Sequence, residues 1–106
     1  MSEYNISGTS TLKLTAYCFD KLVKALMNKL AQQHPGILKL KVGQIFGFAG
    51  QDESAPSLKS ELQALSGSFI NGKYVYDKQR ELASGKPFIK INKPYNLVLF
   101  EYLGYD

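Results

Sequence analysis

Ser68-Phe69-Ile70-Asn71-Gly72-Lys73-Tyr74-Val75-Tyr76 is the stretch on which the fold turns. Asn-Gly between two runs of aromatic and β-branched residues is the preferred two-residue hairpin turn, because both central residues can take positive φ. The stretch therefore predicts two antiparallel strands, 68–70 and 73–76, and a molecule dominated by sheet.

Toward the amino terminus, Leu12, Leu14 and Ala16 alternate with Thr11, Lys13, Thr15 and Tyr17, the period-2 pattern of a half-buried strand. Asp20 can cap a helix in which Leu22, Val23, Leu26, Met27 and Leu30 recur at three- and four-residue intervals. Pro35-Gly36 stops it after about fourteen residues. Leu38, Leu40, Val42, Phe46 and Phe48 then share one parity, with Ile45 the exception, and predict a strand bent at Gly43 or two strands meeting there. Gln51 to Pro56 reads as a polar loop, and Ser57 as the cap of a short helix through Leu65.

Toward the carboxyl terminus, Asp77 to Ser84 is a short helix or a loop closed by Gly85. Pro87 to Asn92 and Tyr95 to Leu103 read as two further strands joined across Lys93-Pro94. Leu97 to Phe100 is apolar on both parities, which suits an inner strand or a subunit contact. The predicted fold is α+β: a single domain with an antiparallel sheet of five or six strands and one long amphipathic helix across one face. A ferredoxin-like split with an extra carboxyl-terminal hairpin is the alternative, weakened because Gly43 alone is too short for its middle turn.

The 106 residues fit one domain, with residues 1–9 as a flexible or extended lead and 10–106 as the α+β unit. At 44% apolar residues, with seven Tyr and six Phe, the chain has material for a core. A mean hydropathy of −0.19 and the lack of an apolar run near the roughly 18 residues needed to cross a bilayer argue against a membrane partner. The first ten residues lack the basic start and apolar centre of a signal peptide, so the expected location is the cytoplasm.

Catalytic constellations are sparse. With one cysteine, Cys18, and one histidine, His34, the chain can build neither an internal disulfide nor a His/Cys zinc site. Those two residues lie at opposite ends of the main helix, too far apart for a nucleophile-base pair, and His34 suits the helix end as a cap. Asp52-Glu53 lack the alternating ligands of a calcium loop, and Glu101 is a lone acid. Gly43, Gly47 and Gly50 match a phosphate loop in composition only, and Phe46-Gly47-Phe48 lacks the flanks of an aromatic RNA-binding strand. No enzymatic activity and no cofactor is expected.

Charge is more telling. The net +4 is segregated: six bases face one acid between Lys13 and Lys41, and six face two between Lys73 and Lys93. Twelve of the thirteen bases are Lys, and only Arg80 carries the planar fork that reads guanine edges, so any nucleic-acid contact should be backbone-directed. Lys73, Tyr74, Tyr76, Lys78, Arg80, Lys86, Lys90 and Lys93 interleave bases with aromatics, as on a single-strand binding surface where lysines follow phosphates and tyrosines stack on bases. The first expectation is thus a non-catalytic binding module for a polyanion, with single-stranded or exposed nucleic acid as the preferred partner and the hairpin as its surface. The alternative is an inhibitor or adaptor that binds a protein partner or self-associates through the strand Tyr95 to Tyr105, using Val98, Phe100 and Tyr102.

Overall fold

A computed structural model describes residues 11–48 and 54–104. Among them the elements run β1 (Thr11–Thr15), α1 (Ala16–Gln33), a 3-10 turn (Ile37–Lys39), α2 (Val42–Phe46), α3 (Leu58–Ser66), α4 (Tyr74–Ala83), β2 (Phe88–Asn92) and α5 (Tyr95–Leu103). Five helices surround one two-stranded antiparallel sheet. This overturns the expected sheet of five or six strands, and with it the ferredoxin-like alternative. The predicted lead, residues 1–9, lies outside the described residues.

The first strand and the main helix follow the sequence pattern, with their junction moved. Thr15 caps α1, its Oγ1 accepting from Cys18 N at 3.3 Å, so the helix starts earlier than an Asp20 cap would allow. It ends at His34, whose N–H returns to Leu30 O, and Gly36 turns the chain at φ +90°. Ser57 and Ser60 cap α3 reciprocally, each side-chain oxygen accepting from the other's backbone N–H.

Asn71-Gly72 is not a hairpin turn. Among the described residues no residue other than glycine has positive φ, and Gly72 is not among the glycines that do. Asn71 Oδ1 instead accepts from Lys73 N at 2.9 Å and Asn71 O from Tyr74 N at 3.1 Å, a side-chain turn that launches α4. Gly72 is required for a different reason: a Cβ there would lie 2.6 Å from Gly47 O, so only glycine lets the two backbones approach.

Two further strands are also helices. Between Ile37 and Phe48, local bonds take up the backbone groups a strand would offer: Lys41 N donates to Gln44 Oε1, and Gly47, at φ +92°, closes α2. Leu38, Leu40 and Val42, expected on the core face, are exposed, while the exception Ile45 is buried. Tyr95–Leu103 forms α5, which packs on α1 and α3 and buries Asn96, Val98, Leu99, Phe100 and Tyr102. Its apolarity on both parities is that of a helix covered on most of its circumference.

The core gathers Phe19, Leu22, Val23, Leu26 and Leu30 of α1, the inner residues of β2 and the buried face of α5. One face of the sheet closes this core, and the other is left outward.

Candidate functional site

The ladder sets the geometry of the outward face. Thr11 lies opposite Asn92, Lys13 opposite Lys90, and Thr15 opposite Phe88. Since alternate residues point to opposite faces, these six share the outside while Leu12, Leu14, Ile89 and Ile91 point in. Thr11 Oγ1 donates to Asn92 Oδ1 at 3.0 Å, and the Lys13 ammonium sits 4.3 Å from the centroid of the Phe88 ring. None of the six carries a carboxylate. Lys13 and Lys90 therefore face each other as like charges with Cβ atoms about 5 Å apart.

Lys86 precedes β2 and Lys93 follows it, both exposed, so cations bracket the strand. Lys86 Nζ lies 3.3 Å from Glu81 Oε1, and Lys78 Nζ lies 3.4 Å from Glu81 Oε2. Desolvation pushes the Glu81 carboxyl up, but the hydrogen bonds and charges of Lys86 and Lys78 outweigh it and hold the group below its ordinary value.

The eight residues expected to form one surface are thus divided. Lys86, Lys90 and Lys93 lie along β2, whereas Lys73, Tyr74, Tyr76, Lys78 and Arg80 belong to α4 or its cap. The tyrosines do not form an open stacking platform. Tyr74 stacks on Tyr95 at 3.8 Å, and Tyr76 packs against Phe46 and Phe48 at 6.0 and 5.3 Å. Lys78, with 16% of its side chain exposed, lies over the Tyr74 ring at 5.2 Å, and the Arg80 guanidinium lies 6.0 Å from the Tyr76 ring.

Lys13 and Phe88 are the residues that sequence reasoning left out of the site. The alternation of the first strand already assigns Lys13 to its polar face. What it does not contain is the identity of the partner strand, 81 positions away at Asn92 for Thr11.

Val98, Phe100 and Tyr102, the candidate protein interface, are turned inward at 4%, 8% and 4% exposure. Tyr102 Oη donates to Gln33 Oε1 at 2.5 Å, and burial together with the nearby Glu61 carboxylate pushes its hydroxyl up to about 12. Glu61 also bonds His34 Nε2 at 2.9 Å, which ties the end of α1 to α3. Cys18 is exposed near the start of α1, and the length of that helix keeps it from His34. Asp52 and Glu53 lie outside the described residues. Among the described residues no three His, Cys, Asp or Glu side chains come together, and no helix is long and apolar enough to cross a membrane.

No protein-family model, curated protein or solved structure matches this chain.

Proposed function

We propose that this chain is a small non-catalytic binding module for a polyanion, with single-stranded or otherwise exposed nucleic acid as the preferred partner. The observation that carries this reading is the direct opposition of Lys13 and Lys90 on the exposed sheet face, with no carboxylate among the six residues that share it. Like charges placed opposite one another weaken a ladder, and a phosphate lying across the pair turns that repulsion into two attractions. Lys93 extends the positive line past the end of β2, whereas Lys86 before it is paired with Glu81, and Phe88 adds aromatic surface beside the line.

Such a face suits backbone recognition. Lysines are mobile point charges that follow phosphates, and Arg80, the single guanidinium, lies away on α4 over Tyr76. Affinity should come from counterion release, with weak preference for base sequence.

Titration of a fluorescein-labelled single-stranded oligonucleotide at two salt concentrations tests the reading. Log affinity should fall with log salt by about 0.7 for each phosphate neutralised. The double variant Lys13→Glu, Lys90→Glu should abolish most of the binding while remaining folded. A flat salt response, or unchanged binding by the double variant, would overturn the assignment.

A further inference from the structure

Exposed rings beside lysines recur on this chain, and they are not equivalent. Lys13 lies over Phe88 at 4.3 Å, Lys21 over Tyr17 at 4.8 Å and Lys59 over Phe69 at 5.6 Å, and all three rings are exposed. Tyr17 stands in the first turn of α1, and Phe69 in the connection between α3 and α4. Phe88 differs in being fixed in the ladder, on the same outward face as a second lysine, Lys90.

The ladder sets the spacing. Phe88 and Lys90 are alternate residues of β2, about 7 Å apart along the strand, and Lys13 stands opposite Lys90 with Cβ atoms about 5 Å apart. A phosphate held between the two ammoniums therefore keeps its own nucleoside within reach of the Phe88 ring.

In the free protein that ring is already in use. Its electron-rich face attracts the Lys13 ammonium, and at an exposed site this attraction is modest. A phosphate offers the same ammonium a charge-assisted hydrogen bond, which is stronger. Drawing Lys13 onto a phosphate uncovers an apolar face, and the flat face of a base closes it again. Polyanions without bases have nothing to put there, and in a duplex the base faces are stacked on one another.

We infer that Phe88 is the base-stacking residue of this site: a phosphate between Lys13 and Lys90 takes the Lys13 ammonium off the ring, and an unpaired base takes its place. The inference rests on the polyanion reading and narrows the partner to nucleic acid with unpaired bases. Stacking neutralises no phosphate, so it should add affinity without changing the salt dependence.

The test titrates the full chain, by anisotropy at several salt concentrations, with two fluorescein-labelled oligomers of equal length: oligothymidylate and an abasic deoxyribose-phosphate chain. Oligothymidylate should bind about five- to 150-fold tighter, the range for one stacked base, with the two salt slopes parallel. Phe88→Leu should remove most of that difference and leave the abasic affinity unchanged. Because the chain has no tryptophan, Phe88→Trp carries a single reporter ring, whose emission unlabelled oligothymidylate should quench and the abasic chain should not. Equal affinity of the wild type for the two oligomers, with a steep salt slope, would overturn the stacking and leave the polyanion reading standing. A flat salt response, or no binding of either oligomer, would remove both. Equal weakening of both oligomers by Phe88→Leu, or equal quenching by both in Phe88→Trp, would also overturn the inference, since the ring would then respond to something other than a base. If neither variant folds, the comparison of the two oligomers on the wild type decides the matter.

Discussion

The rings of Tyr74 and Tyr95 stack at a centroid distance of 3.8 Å and within 5° of parallel, and each hydroxyl accepts a backbone N–H near the other ring's element. Tyr74, on α4, accepts from Asn92 N at the end of β2, and Tyr95, on α5, accepts from Asn71 N just before α4 at 2.8 Å. The pair thereby ties the entry of α4 to the turn between β2 and α5. Tyr74, a ring that a sheet reading would offer to nucleic-acid bases, is used instead with Tyr95 to hold three elements together.

Tyr74→Ala and Tyr95→Ala should consequently be coupled. Aromatic pairs contribute about 0.5–1.5 kcal/mol beyond the area they bury, and a double-variant cycle by urea denaturation should return a coupling of that size. Additive effects would mean that the contact contributes nothing specific. Tyr95→Phe, which keeps the ring and removes the acceptor for Asn71 N, should cost about 0.5–1.5 kcal/mol.

What the sequence made legible was the part governed by strong local signals. The α1 stripe, the stop at Pro35-Gly36, the Ser57 cap and the strand before Lys93 all appear near where pattern and capping chemistry put them. The misread segments share a physical cause. Tyr74-Val75-Tyr76 alternates like a strand, yet in α4 only Val75 is buried, flanked by half-buried rings that pack on Phe46, Phe48 and Tyr95. A short apolar run such as Leu97 to Phe100 carries no periodicity that separates a buried strand from a buried helix. Once those segments became helices, the lysines on them left the sheet. The site then depended on a long-range pairing, β1 with β2, which local pattern does not encode.

Gly72→Ala should destabilise the chain even though its φ is not positive. Alanine improves helix entry on propensity alone, but its Cβ would meet Gly47 O at 2.6 Å and Phe46 O at 2.9 Å, backbone atoms that can yield only by shifting α2. A loss of about 1–3 kcal/mol in chemical denaturation is expected. A gain would show that the two loops do not touch.

Phe100→Lys should unfold the protein rather than release a dissociated subunit. Phe100 is packed in α5 beside Val98, Leu99 and Tyr102, and an ammonium placed there would lose its hydration without a built-in partner. Circular dichroism should show loss of the cooperative melt. A folded variant of lower mass in light scattering would restore the subunit-contact reading of this segment.

Tyr102 gives the stability an alkaline limit. Its hydroxyl is raised from 10 to about 12 in the folded chain by burial and by the Glu61 carboxylate, so between those values the unfolded chain loses a proton that the folded chain keeps. Stability is thus unaffected by this group below about pH 10 and falls as pH rises toward 12, by roughly 2–3 kcal/mol at most. Urea midpoints measured from pH 9 to 11.5 should decline more steeply for the wild type than for Tyr102→Phe. Parallel curves would remove Tyr102 as the cause.

Lys13 and Lys90 should show opposite responses in stability and in binding. Opposed like charges on a ladder cost about 0.2–1 kcal/mol, so Lys90→Thr, which removes the repulsion and supplies a good strand former, should stabilise the free protein by a few tenths of a kcal/mol. Lys13→Thr removes the same repulsion but also the ammonium over the Phe88 ring, a contact of about 0.5–1 kcal/mol at an exposed site, so its net effect should lie nearer zero. Moderate salt should stabilise the wild type relative to either variant, because screening acts where the repulsion is. In binding the signs reverse: each substitution should weaken the oligonucleotide complex and reduce the salt slope by about 0.7. If Lys90→Thr destabilised the free protein instead, the two ammoniums would not be felt as a strained pair, and the observation on which polyanion binding rests would be lost.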